Sequence, residues 1–337
     1  MKAVGFQQPG PIERQDALQD ITLEKPVAHG RDLLVEIKAV SVNPVDTKVR
    51  VNRQPQPDSW EILGYDAVGV VNAIGPAVEY FKVGDEVFYA GVINRPGTNS
   101  EFHLVDERIV GRKPTNLSDS AAAALPLTAI TAWEMLFDRL EVLRPTVEGG
   151  KLILVIGGAG GVGSITLQLL RAMTDLTIIA TASRPETKQW VMDSGAHHVL
   201  DHSQPLAPQM EALGLGKPGF VFSTTQTDRH YSDIVELIAP QGRFGLIDDP
   251  PTLDAKPLKM KSISLHWELM FTRPLFSTPD IDEQRTLLNQ VADLVEAGKI
   301  RSTATEVAGK INAANLKKVH AQLESKTTRG KIVLEGF

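Results

Sequence analysis

Hydrophobic and polar positions alternate in short runs along the first third of the chain. Leu33-Leu34-Val35-Glu36-Ile37-Lys38-Ala39-Val40 mixes alternation with β-branched residues, the mark of a partly buried strand. Asp66–Ile74 reads as a second strand interrupted at Gly69, and Val83-Gly84-Asp85-Glu86-Val87-Phe88 as a tight turn feeding a third. Short strands punctuated by Gly64, Gly69, Gly75 and Gly84 predict an antiparallel, barrel-like unit.

The pattern changes near Ser118. Ser118 and Asp119 are cap residues before an alanine-rich run, and a helix is predicted from Thr128 to Leu140. The apolar run Lys151–Ile156 suits a parallel strand buried on both faces. It is followed by a glycine loop, a helix Gly163–Met173, a strand Leu176–Ala182 and a helix Glu186–Ser194 closed by Gly195. Val199-Leu200, Phe220–Phe222 and Arg243–Ile247 are further short strands, and Ser262–His266 is a candidate edge strand. This alternation implies a doubly wound parallel sheet. Amphipathic helices Asp282–Ala297 and Ala313–Glu324 and a last strand Gly330–Leu334 close the chain.

Composition narrows the function. The chain has 337 residues, 42% hydrophobic and 23% charged, as in an ordinary globular protein of about two domains. A net charge of −6 argues against nucleic acid or an anionic membrane as the main partner. With no cysteine there is no disulfide, no thiolate nucleophile and no zinc–thiolate site. The N-terminal residues lack an apolar export segment, and Ala121–Trp133 is shorter than the roughly 20 residues that span a bilayer, so a cytoplasmic location is expected.

The sharpest local signal is Gly157-Gly158-Ala159-Gly160-Gly161-Val162-Gly163, in which Gly158, Gly160 and Gly163 satisfy G-x-G-x-x-G. A buried strand precedes it and an amphipathic helix follows, which is the context for a dinucleotide's pyrophosphate on backbone N–H groups and a helix N-terminus. NAD-binding folds carry an acid at the end of the second strand, about 20 residues on. Here that end reads Ala182-Ser183-Arg184-Pro185-Glu186-Thr187-Lys188. Ser183, Arg184 and Lys188 suit a ribose 2′-phosphate, so NADP(H) is the expected cofactor.

These residues, with Asn43-Pro44-Val45-Asp46-Thr47-Lys48, Leu63-Gly64-Tyr65-Asp66-Ala67-Val68-Gly69, Leu125-Pro126-Leu127-Thr128-Ala129 and Gly330-Lys331-Ile332-Val333-Leu334, point to a family. The chain resembles the medium-chain dehydrogenase/reductase superfamily, and within it the quinone oxidoreductase branch and bacterial zinc-type alcohol dehydrogenase-like proteins. The resemblance implies an α/β fold: a Rossmann doubly wound parallel sheet at 125–274, inserted into a β-rich, barrel-like (GroES-like) catalytic domain of residues 1–124 and 275–337. It implies an active site in the cleft, and family dimers formed through the sheet edge. It also implies cofactor contacts at Thr131, the loop residues Gly158 to Gly163, His202, Met270, Phe271 and Lys331.

The resembling zinc enzymes use Cys, His and Cys as ligands, and these fall on Asn43, Tyr65 and Leu127. None replaces a soft tetrahedral ligand, so no metal is expected. Catalysis then falls to positioning, with Asn43 as the candidate donor to a substrate oxygen and Lys48 as a candidate cation or proton source where many relatives have tyrosine. The expected activity is NADPH-dependent reduction of quinones or other conjugated carbonyls. The alternatives are reduction of the C=C bond of enones or enoyl thioesters, for which Lys256, Lys259 and Lys261 offer a basic entrance, and an NADPH-binding redox sensor with little turnover.

Overall fold

A computed structural model describes all residues, Met1–Phe337. They form two compact units, one of residues 1–130 and 271–337 and the other of residues 131–270.

The second unit is built on a six-stranded, all-parallel sheet. Its strands run in the order His198–Leu200, Thr177–Thr181, Leu152–Ile156, Phe220–Ser223, Arg243–Leu246 and Ser264–Trp267. Leu152–Ile156 and Phe220–Ser223 are buried at every position, which is why their sequences are continuously apolar rather than alternating. Leu154, Ile156, Val221, Phe244 and Leu246 pack with Ile234 and Leu237 of the helix Thr227–Leu237 and with Leu206 and Met210 of the helix Leu206–Ala212. Leu152–Ile156 comes first in the chain yet lies inside the sheet. The strands that follow go first to one side of it and then to the other, so the end of this strand is the point where dinucleotides bind in such sheets. Ser264–Trp267 is the edge strand.

The first unit contains a seven-stranded sheet and a small three-stranded one. Asp32–Ser41 is its longest strand. It pairs antiparallel with Ala67–Ile74, its first half with Phe102–Asp106, and its end with Lys331–Glu335. Gly69 is glycine because a Cβ there would lie 2.3 Å from the Glu36 carbonyl oxygen of the paired strand. The register Val333↔Ser41, continued by two residues in each direction, sets Lys331 against Asn43. Sheet pairing between the two ends of the chain thereby builds part of the polar site described below.

The long helix departs from expectation. Ser118 does cap its first turn, accepting from the Ala121 N–H, but the segment is a short helix Asp119–Ala123, an α-helix Pro126–Trp133 and a π-helical stretch Glu134–Arg139. The run Asp119–Arg139 spans 21 residues and is long and apolar enough to cross a membrane by length and composition. It is mostly buried within the protein, as a core helix is.

Candidate functional site

The glycine loop turns at Gly157, whose φ of +81° favours glycine. Its N–H donates to Thr181 Oγ1 at 3.0 Å, and the Gly158 N–H to the Thr181 carbonyl at 3.2 Å, so the loop is tied to the end of the neighbouring strand. The helix Gly161–Met173 starts directly after Gly160. Its first N–H groups, from Gly161, Val162 and Gly163, have no acceptor within the helix. A Cβ on Gly163 would lie 2.3 Å from the Gly157 carbonyl oxygen, so this glycine lets helix and loop approach closely. Gly160 differs: a Cβ there would meet nothing nearer than 3.6 Å. Its bareness serves no packing need and leaves the loop open. Ala159 completes the turn. The arrangement fits a dinucleotide pyrophosphate.

Just beyond this same strand end stand Ser183 and Arg184, both half-buried. No acid ends the strand itself. The Arg184 guanidinium instead meets Glu186 at 3.1 Å, and the Lys188 ammonium meets Asp201 at 3.0 Å. Donors from Ser203 and Lys188 hold the Asp201 carboxyl down to about 2. His202 Nδ1 lies 3.2 Å from Thr181 Oγ1, the same hydroxyl that receives the Gly157 N–H. Glycine loop, Thr181 and His202 thus form one hydrogen-bonded chain.

In the first unit the structure gathers a buried polar network that the sequence shows only in pieces. Asp66 is its hub. Its Oδ2 accepts from Ser41 Oγ and Asn43 Nδ2, each at 2.7 Å, and from Lys331 Nζ at 3.1 Å, while its Oδ1 accepts from the Leu127 N–H at 2.7 Å. The Lys331 ammonium also donates to the Asn43 side-chain oxygen and to the Val42 carbonyl. Asp46, on the helix Pro44–Asn52, accepts from the Asn43 N–H at 2.7 Å and the Gly64 N–H at 2.9 Å. Burial pushes the Asp46 carboxyl up to about 7, against the pull of these N–H groups and Lys331. Burial also raises Asp66 and lowers Lys331, each opposed by the attraction between them.

Several expected roles meet a definite geometry here. The Asn43 amide hydrogens that a substrate oxygen would need are given to Asp66 and, at 3.5 Å, to the Ser41 carbonyl. Asp46 and Asn43 do fix the turn into the helix. Lys331 places its ammonium inside the network. Lys48 is exposed on the helix Pro44–Asn52. Thr131, Met270 and Phe271 are buried, and Phe271 packs edge-on against Tyr65, ring centres 5.4 Å apart. The Lys261 ammonium is held by the Val235, Glu236 and Ile238 carbonyls at the end of the helix Thr227–Leu237.

The zinc-ligand positions Asn43 and Leu127 do come together, both on Asp66, but their donors do not fit zinc. Leu127 has no side-chain donor, the Asn43 oxygen faces Lys331, and that ammonium brings its own positive charge. No three His, Cys, Asp or Glu side chains form a metal-holding group.

Residues 29–115 match the alcohol dehydrogenase GroES-like domain family and residues 194–334 the zinc-binding dehydrogenase family. The chain is 40% identical to a zinc-type alcohol dehydrogenase-like protein of Staphylococcus aureus, covering 99% of each chain. It is 29% identical to a quinone oxidoreductase of Pseudomonas aeruginosa, over 90% of this chain and 91% of that one. A solved Rhizobium etli protein, named for zinc-dependent alcohol dehydrogenases, is 61% identical and superposes with a TM-score of 0.98 over 100% of this chain and 98% of that one. A sheet with a glycine loop at its switch point, inserted into a GroES-like unit, and relatives along the whole chain make this protein an oxidoreductase of the medium-chain dehydrogenase/reductase superfamily, with quinone oxidoreductases among its relatives.

Proposed function

We propose that the protein is an NADPH-dependent, zinc-independent reductase of quinones or other conjugated carbonyls. The observation that carries the reading is the strand end after Thr181, where Ser183 and Arg184 stand in place of the acid that NAD-specific folds put there. Gly158 to Gly163 hold the pyrophosphate, Arg184 and Lys188 the 2′-phosphate beside His202, and Thr131, Met270 and Phe271 the nicotinamide end. When bound, NADPH supplies the hydride. The Lys331 ammonium, locked between Asn43 and Asp66, supports independence from zinc. Asn43 holds this ion pair in place, and Lys48 has no assigned step.

Without a metal to lower the pKa of a hydroxyl, simple alcohols are poor substrates, whereas electron-poor acceptors react once positioned. The quinone oxidoreductase relative supports that acceptor class. Pairing through the edge strand Ser264–Trp267, beside the half-exposed Trp267 and Leu269, would give a homodimer in the cytoplasm.

Initial rates with NADPH and NADH on 1,4-benzoquinone, 1,4-naphthoquinone, cyclohex-2-enone and ethanol, before and after chelation, test the reading. NADPH-dependent reduction that survives chelation is expected, with no stoichiometric zinc on elemental analysis. Efficient ethanol oxidation lost with a bound zinc overturns it. Tight NADPH binding without turnover points instead to a sensor.

A further inference from the structure

Thr181 Oγ1 accepts from the Gly157 N–H at 3.0 Å, and a hydroxyl has a single hydrogen to give. His202 Nδ1, at 3.2 Å, receives it. That bond sets His202 as the neutral imidazole with its hydrogen on Nε2, and leaves this Nε2–H as a donor. Facing it, with ring centres 6.3 Å apart and the planes at 52°, lies His230 on the helix Thr227–Leu237. His230 is only 5% exposed, yet its ring makes no hydrogen bond. Polar groups buried without a partner are expected where a ligand completes them. Both histidines, Thr181, Arg184 and Lys188 belong to the unit of residues 131–270, so any subsite they form is complete within it.

The charges around the two rings name the ligand's sign. His202 faces Asp201 and three cations, Arg229, Arg184 and Lys188. His230 faces His202, Arg229, Asp233 and Asp228. Of the carboxylates, Asp201 is already paired with Lys188 at 3.0 Å, and Asp233 accepts the Leu206 N–H at 2.8 Å. Burial holds His202 below its ordinary value, Asp201 opposes this, and the three cations add to it. Burial, then His202 and Arg229, likewise hold His230 down, with Asp233 and Asp228 opposing. Two imidazoles kept neutral among cations suit an anion.

We propose that His230 belongs to the cofactor's 2′-phosphate subsite and takes up a proton from solvent when NADPH binds, with His202 beside it as a fixed neutral donor. The proposal rests on the reading above, in which Arg184 and Lys188 hold that phosphate. A phosphate brings a charge of about −1.5 to −2 and reverses the local field, which favours the charged imidazole. Of the two rings His230 is the one free to accept the proton. On His202 the vacant nitrogen is Nδ1, and a proton there would displace the Thr181 hydrogen. NADH carries a hydroxyl in place of the phosphate and draws no proton. The pair therefore adds to the preference for NADPH, and adds more as pH falls toward neutrality.

The test is titration of cofactor fluorescence in the full chain, for NADPH and NADH separately, in phosphate-free buffers between about pH 7 and pH 8.5. In that range the cofactor's phosphate, with a second pKa of about 6, keeps its full charge, so a slope belongs to the protein. The NADPH dissociation constant should rise about three- to tenfold across the range, while that of NADH stays within about twofold. His230→Gln keeps a hydrogen-bonding group that takes no proton. It should flatten the NADPH dependence to within about twofold and leave NADH unchanged. An NADPH constant that is flat in the unmutated protein overturns the inference and leaves the cofactor preference standing. An unaltered slope in His230→Gln overturns it too. Equal weakening of both cofactors in His230→Gln means that the ring meets the adenine or serves the fold, and also overturns it. An unmutated protein that binds NADPH and NADH equally overturns the cofactor reading itself, and the inference with it.

Discussion

Lys331 and Asp66 form a buried ion pair at 3.1 Å, joining the last strand of the chain to residues near its beginning. The two side chains are separated by 265 positions in sequence. Burial acts to neutralise both, raising Asp66 and lowering Lys331, and the attraction between them opposes it.

Removing one partner should therefore be far worse than removing both. Lys331→Met leaves the Asp66 carboxylate buried without its cation and should cost about 3–5 kcal/mol in urea unfolding. Lys331→Met combined with Asp66→Asn should recover part of that loss, because an amide can still accept from the Leu127 N–H. A single variant that loses less than about 1 kcal/mol would place the pair among the weak ones.

The ribose end predicts two opposite effects. Arg184→Ala should weaken NADPH binding by about 1.5–3 kcal/mol and leave NADH nearly unchanged, because a charge-assisted contact to the 2′-phosphate is lost. Glu186 competes for the same guanidinium at 3.1 Å. Glu186→Gln should accordingly tighten NADPH binding by a few tenths of a kcal/mol up to about 1, the worth of an exposed pair. Titration of cofactor fluorescence measures both, and equal affinity of the unmutated protein for NADPH and NADH would refute the assignment.

Much of the architecture was legible because it is written locally. Leu152–Ile156 is apolar at every position, and the glycine loop follows at once, so strand, loop and helix announce themselves together. The helix Thr227–Leu237, TDRHYSDIVEL, escaped notice because its buried residues are few and its polar residues many. The π-helical stretch carries no local signal in the sequence, and Met135 within it lies against the distant Gly245, where a Cβ would stand 2.2 Å from its sulfur. The polar network was the least legible part. Lys331 and Asn43 are 288 positions apart, and only the sheet register brings them together. Motif likeness directed Lys331 to the cofactor, while the pairing of strands put it on Asp66.

Glu268 gives a pH dependence whose sign can be stated. Its side chain is fully buried with Glu134 close by and Arg139 Nε at 2.8 Å. Burial and then the Glu134 carboxylate push the Glu268 carboxyl well above the ordinary range, with Arg139 opposing. In the unfolded chain it ionises near 4.5. Between that value and its raised folded value the folded state holds the extra proton. Stability from this group is therefore complete below about 4.5 and declines as pH rises through neutrality. Glu268→Gln should match the unmutated protein near pH 4 and exceed it by about 1–2 kcal/mol at pH 8. Parallel stability curves across that range would show that the pair carries no shared proton.

Two glycines of one motif should fail in different ways when changed to alanine. At Gly163 the new Cβ would stand 2.3 Å from the Gly157 carbonyl oxygen and 2.7 Å from the Gly158 Cα, both backbone atoms that cannot swing aside. Gly163→Ala should lower stability by about 1–3 kcal/mol or more, because helix and strand must part. At Gly160 the backbone lies at φ −72° and ψ 176°, which any residue adopts, and the nearest atom is 3.6 Å away. Gly160→Ala should leave unfolding within about 0.5 kcal/mol of the unmutated protein. Its methyl group would nevertheless stand where a pyrophosphate must approach the backbone, so NADPH affinity should fall at least about tenfold. Thermal unfolding without cofactor and cofactor titration separate the two effects. If Gly160→Ala binds NADPH normally, the open face of the loop is not the pyrophosphate site.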